Sequence, residues 1–171
     1  MKLRILGFVV LVLWLPASLM AQSGESVDIS GDWMDSQTWR DLSPLRSTRV
    51  EIEKRFGKPM LEGNRPRHAI YKDEQGMFSF IYSSGDCTVV GDLKWKAPTD
   101  TLLRIDIYPV MPFPISKAWF REHKFVEKED LDVHQIYYRK DGVSVTVQSE
   151  DSKVFRVTYF PASKQKDFQC Q

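Results

Sequence analysis

Asp141-Gly142-Val143-Ser144-Val145-Thr146-Val147-Gln148 alternates apolar and polar residues with a period of two, directly behind a hairpin dipeptide. That alternation is what a strand with one buried face requires, because successive side chains point to opposite sides. Asp-Gly supplies the positive φ of a tight turn, so the strand-like run His134–Arg139 is expected to pair with it. Val154–Phe160, ending at Pro161, adds a third strand and completes an antiparallel meander. Ahead of the meander, Ser116–Phe125 carries Ala118, Trp119 and Phe120 and is expected to be helical.

The same order of signals stands earlier in the chain. Thr48 can cap a helix running to Phe56, with Glu51 three residues on to complete a capping box. Ile52 and Phe56 share a face, Gly57 suits the position after the helix, and Pro59 blocks its continuation. His68–Lys72, a turn at Asp73–Gly76, Met77–Ser83 and Leu102–Tyr108 then follow. His68-Ala69-Ile70-Tyr71 matches His134-Gln135-Ile136-Tyr137, with Gly76 and Gly142 equally far downstream. Arg104 precedes Pro109 by the same spacing as Arg156 precedes Pro161, and the segment 84–100 is extra in the first half. The expectation is an α+β domain over residues 45–161. Two tandem units of helix plus three-stranded antiparallel meander would form one curved sheet with the helices on one face.

Ser47-Thr48-Arg49-Val50-Glu51-Ile52-Glu53-Lys54-Arg55-Phe56-Gly57-Lys58-Pro59 resembles the opening helix of the BamE/SmpA group of outer-membrane assembly lipoproteins. The doubled unit is similar to the fold of the β-lactamase inhibitory protein. Pro44–Arg49 and Tyr82-Ser83-Ser84-Gly85-Asp86-Cys87 resemble stretches of uncharacterised exported bacterial proteins. These resemblances imply a curved sheet and an envelope assembly or inhibitory role. The lipid-bearing Cys of the assembly lipoproteins is missing, and one Cys per half differs from the inhibitor's pairing within each repeat.

Export is expected from the first 21 residues. Lys2 and Arg4 precede an apolar run from Ile5 to Leu15, Pro16 ends it, and Ala17, Ser18 and Ala21 follow. The run is shorter than the roughly 20 apolar residues of a membrane span. The alternative is an uncleaved anchor. Residues 22–44 are expected to be an irregular N-terminal segment. The 24 basic and 23 acidic residues nearly cancel, which argues against a nucleic-acid partner held by a basic field. In an oxidising compartment Cys87 and Cys170 are expected to form a disulfide that pins the tail 162–171. The expected location is periplasmic or secreted, with no lipid anchor and no transmembrane span.

No pattern points to catalysis, a cofactor or a metal. His68, His123 and His134 include no pair spaced to begin a zinc site, and two Cys are too few for a four-cysteine one. Ser83-Ser84-Gly85 lacks a nucleophile elbow, and no glycine-rich phosphate loop is present. Asp28, Asp32 and Asp35, and the later group Glu127, Glu129, Asp130 and Asp132, do not follow a calcium loop and read as solvated linkers. Arg65-Pro66-Arg67-His68 and Lys94-Trp95-Lys96 read as scattered surface charges.

The aromatic residues carry more. Phe78, Phe80 and Tyr82 share one face of their strand and Met77, Ser79 and Ile81 the other. A strict alignment of the two halves turns Met77, Ser79 and Ile81 inward, and a hairpin longer by one residue reverses this. The Phe face is the favoured inner one because it offers more area to bury. The second face then needs a cover, from the 84–100 segment with Trp95, from the N-terminal segment with Trp33 and Trp39, or from a partner protein. Trp95, Lys94, Lys96, Phe78 and Phe80 are the candidate partner-binding residues. The expected function is an exported, non-catalytic protein-binding or envelope-assembly module of unknown partner. The alternatives are a secreted hydrolase-like enzyme with a dispersed site, or an inhibitor of a secreted enzyme.

Overall fold

The computed structural model describes residues 39–64, 67–90, 92–130 and 134–170. The expected signal sequence at 1–21, Trp33, the Arg65-Pro66 pair and Asp132 lie outside the described residues. Helix α1 (Arg49–Phe56) leads into β1 (Leu61–Asn64), β2 (Arg67–Lys72) and β3 (Gly76–Tyr82). A short hairpin, β4 (Thr88–Val90) and β5 (Leu93–Trp95), precedes β6 (Leu102–Pro109) and the two-residue β7 (Phe113–Pro114). Helix α2 (Lys117–Glu122) is followed by β8 (Val126–Asp130), β9 (Gln135–Lys140), β10 (Val143–Gln148) and β11 (Lys153–Tyr159). Nine strands make one antiparallel sheet in the order β1-β2-β3-β6-β11-β10-β9-β8, with β7 paired to β11, while β4 and β5 pair separately.

This architecture corrects the expected pair of helix-plus-three-strand units. Among the described residues the fold is mostly sheet, and the two α-helices have only 8 and 6 residues. Strands β1, β7 and β8 of the main sheet are additional, and so is the separate β4–β5 pair. Glu127, Glu129 and Asp130, expected in a solvated linker, belong to β8. The matched tetrapeptides are also out of phase. Ile136 is buried in the core, but in β2 it is Ala69 and Tyr71 that face inward while Ile70 does not. His68 lies within β2, whereas His134 sits in the turn before β9 with φ 51°. A slip of one residue reverses the face of every side chain in a strand, so the match does not equate positions.

Individual elements form for the reasons their sequences supply. Thr48 and Glu51 close the capping box on α1, with the Thr48 N–H donating to Glu51 Oε2 at 2.7 Å. Ser116 caps α2 through the Trp119 N–H. Gly142 turns the β9–β10 hairpin at φ 86°, a backbone conformation that side chains disfavour.

One face of the sheet holds the main core. Ile52 and Phe56 from α1, and Phe120 from α2, meet Tyr71, Phe78, Phe80, Ile105, Val145 and Tyr159 there. Trp39 and Leu42 join the same core, and the Trp39 ring stacks parallel to Phe56 at 5.9 Å. At the other end, Phe120 stacks on Tyr138 at 3.7 Å.

A second core gathers Leu45, Val90, Trp95, Ala97 and Leu103, with Phe160 and Phe168 against it. A register shift between β3 and β6 pairs Ile81 with Arg104 and Tyr82 with Leu102. Leu103 is thus the extra residue of a bulge. Leu102 enters the main core and Leu103 the second one. The C-terminal tail runs beside β5, with the Lys96 N–H donating to the Phe168 carbonyl at 2.7 Å and the Cys170 N–H to that of Lys94 at 3.0 Å. The Cys87–Cys170 disulfide, with Cα atoms 6.1 Å apart, fastens the tail to the start of the hairpin, as expected.

Three measurements test this packing. Trp95→Ala removes the largest side chain of the second core and should lower unfolding free energy by about 3–5 kcal/mol in urea titration. The double substitution Cys87→Ser and Cys170→Ser opens a closure of 83 residues. It should lower stability by about 2–4 kcal/mol and accelerate amide exchange at residues 166–170.

Stability should also fall in alkali. Burial pushes the hydroxyls of Tyr71, Tyr82 and Tyr159 upward. Burial, reinforced by the negative charge of Glu127, pushes Tyr138 up to about 12 from an ordinary 10.0. The raised folded value means that the contribution of neutral Tyr138 is complete below pH 10 and is lost as pH rises through 12. Urea midpoints should therefore drop between pH 10 and 12, and Tyr138→Phe should make that drop shallower.

Candidate functional site

The face of the sheet opposite the helices is the candidate site. The α-helices of the described residues bury Ile52, Phe56, Trp119 and Phe120 in the main core, so they leave this outer face to the strands and the β4–β5 hairpin. Cross-strand register places its residues in rows. Leu61, Ile70, Ser79 and Asp106 stand side by side, and Thr158, Ser144, Arg139 and Val126 continue the same row. A neighbouring row holds Lys72, Met77 and Tyr108 at one end and Arg156, Thr146, Tyr137 and Lys128 at the other. The β1–β3 end is therefore largely apolar, and the β9–β11 end carries arginines and hydroxyls.

At the apolar end Leu61 is 55% exposed and Met77 38%, with Ile70 and Ile81 half-buried beside them. Gly63 allows the His68 imidazole to lie over β1, since a Cβ there would fall 2.0 Å from its Cε1. The apolar side chains of this strip are contributed by three neighbouring strands.

At the polar end a cleft of about 110 Å³ opens between Arg104, Arg139 and Arg156, floored by Ser144 and Thr158 and flanked by Tyr137, Phe160 and Asp92. The long arginine side chains cover the strands beneath them. This is why Ser144 and Thr146 are buried although β10 turns only its valines to the main core. Asp106, 2% exposed, is held by Arg104, with Nη2 at 2.9 Å from Oδ1 and Nε at 2.8 Å from Oδ2. The Thr158 hydroxyl donates to Asp106 at 2.8 Å. Arg139 reaches Asp92, in the β4–β5 turn, at 3.1 Å. Arg156 donates from Nε and Nη2 to the Thr146 hydroxyl, both at 3.3 Å, and meets no carboxylate within 4.0 Å among the described residues.

The candidate contact residues fall elsewhere. Phe78 and Phe80 face inward as expected and are 1% and 0% exposed. Trp95 is 1% exposed, and its indole N–H donates to the Val90 carbonyl at 3.2 Å. Its ring completes the second core and presents no contact surface, leaving Lys94 and Lys96 as the exposed members of that group. Trp39 lies on the inner face against Phe78 and Phe80 and so does not itself cover the outer strip.

The histidines do not converge. His68 is on β2, His123 ends α2 stacked on Trp119 at 4.0 Å, and His134 is in a turn. Among the described residues no group of three or more His, Cys, Asp and Glu is gathered as a metal site. No helix of the described residues is long and apolar enough to cross a membrane. Arg104, Arg139 and Arg156 lie far apart in sequence. The spacing of Arg104 and Arg156 before a proline hinted at a relation between two of them, but only strand register brings all three to one cleft. Comparison of the chain with protein-family models, with curated proteins and with solved structures finds no match.

Proposed function

We propose that this chain is an exported, non-catalytic binding module of the periplasm or extracellular space that docks an acidic protein partner on the outer face of its sheet. The observation that carries the reading is the division of that face into an exposed apolar strip and an adjoining arginine cleft. Apolar area of this kind drives association by leaving water. Asp106 and Asp92 offset two of the three cleft arginines, and Lys72 adds a further cation on the same face, so the face favours a partner of opposite charge. The Cys87–Cys170 bridge supports an oxidising compartment. A part in envelope assembly, suggested by the resemblance of the α1 segment to the assembly lipoproteins, fits the same face.

A photo-crosslinking residue at Met77 tests this reading against one at Val50, which is 73% exposed on α1. In cell-envelope extract, adducts should form from position 77 and not from 50. Leu61→Asp, on the same strip, should abolish them, and Glu51→Ala on the helix should not. Adducts from Val50 alone, or adducts from Met77 indifferent to Leu61→Asp, would place the contact elsewhere and refute the proposal.

A further inference from the structure

We infer that the cleft between Arg104, Arg139 and Arg156 is a carboxylate pocket that seats an acidic side chain of the partner, an inference that rests on the outer-face reading above. The three guanidinium groups are not equivalent. Arg104 is committed to Asp106, whose burial at 2% exposure makes that pair part of the framework. Arg139 shares a single oxygen of Asp92, and the Asp92 side chain is 84% exposed on a hairpin turn. Arg156 stands against one neutral hydroxyl, Thr146. A guanidinium has five N–H donors in a planar fork, so two bonds of 3.3 Å to one oxygen leave most of its capacity unused. The Ser144 hydroxyl, on the cleft floor, is likewise unengaged among the described residues.

Charge selects the ligand. Three arginines against Asp92 and Asp106 leave one uncompensated positive charge, centred on Arg156. One carboxylate neutralises it and matches the fork with two parallel bonds, while a phosphate dianion would bring a second charge with no counterpart. Access is also fitted to a side chain. The cleft is small, with Phe160 as an apolar wall, and it adjoins the apolar strip through Arg104 and Ile81, which are cross-strand neighbours. A partner segment laid along the strip could therefore extend one acidic side chain into the cleft.

The test is an NMR titration of the full chain at constant ionic strength with two peptides, Ac-Ala-Glu-Ala-NH2 and Ac-Ala-Gln-Ala-NH2. The Glu peptide should give saturable shifts at the Arg156 Nε–H and at the amides of residues 144–146 and 156–158. The isosteric Gln peptide should bind at least tenfold more weakly, a comparison that needs no substitution in the protein. Arg156→Gln should weaken the Glu peptide at least tenfold with the spectrum of the remaining core unchanged, and Arg46→Gln, on an exposed loop, should not. Equal binding of the two peptides, unchanged affinity in Arg156→Gln, or tighter binding of inorganic phosphate than of the Glu peptide at these amides would each overturn the carboxylate assignment. Adducts from position 77 that persist when the peptide arm fails would show that the pocket alone is wrong, whereas loss of both would remove the docking face as well.

Discussion

Three residue pairs between β6 and β11 join the two ends of the sheet: Ile105 with Tyr159, Asp106 with Thr158, and Ile107 with Val157. On the inner face of this joint the two isoleucines, Val157 and Tyr159 belong to one apolar core that reaches both helices. On the outer face a buried carboxylate takes a hydroxyl from one strand and a guanidinium from its own. Hydrophobic burial is insensitive to register as long as the face is kept, but a hydrogen bond between Thr158 and Asp106 is not. The apolar side supplies attraction and the polar side supplies alignment. Because β3 pairs with β6 and β10 with β11, both wings inherit their position from these three pairs.

The outer face shows why this matters for the site. No short sequence segment contains the arginine cleft; it exists where strands from residues 102–109 and 135–159 are brought level. The β4–β5 hairpin finishes it. Trp95 and Val90 press on Leu103 and Phe160 in the second core, and the hairpin turn carries Asp92 to Arg139. The hairpin is thus a wall of the cleft, built from the very segment whose tryptophan looks like a contact residue when the sequence is read by itself.

What could be read from sequence follows burial. The capping box at Thr48–Glu51 and the hairpin at Asp141-Gly142 announce themselves because local chemistry decides them. The inward face of Phe78 and Phe80 follows from its larger area, although Met77 and Ile81 make the opposite face apolar as well. Strands β1 and β8 do not. Leu61-Glu62-Gly63-Asn64 has three exposed residues of four, and Glu127, Lys128, Glu129 and Asp130 are all charged. Edge strands are held by main-chain bonds to one neighbour, and charge on them discourages pairing with other molecules, so they lack the alternation that marks interior strands. The count of strands fails at the two edges for that reason, and at β4, β5 and β7 because runs of two or three residues are too short to show an alternation. The matched His-x-Ile-Tyr stretches fail for another, since composition repeats while phase does not. The site was the least legible part. Arginines over a sheet face have no local signature, and a buried Trp95 and a solvent-exposed one look alike in sequence.

The Cys87–Cys170 bridge also orders events in time. Cys170 follows every strand of the sheet, so its thiol reaches the hairpin only after the chain that builds β6 to β11 is available. The bridge closes the second core, in which Trp95 and Phe168 meet Leu103 and Phe160. Neither the main core nor the β6–β11 joint includes a cysteine. The bridge is anchored instead beside the hairpin wall that brings Asp92 against Arg139. The redox state of the surroundings is in this way connected to the shape of the arginine cleft, through one covalent bond that touches neither.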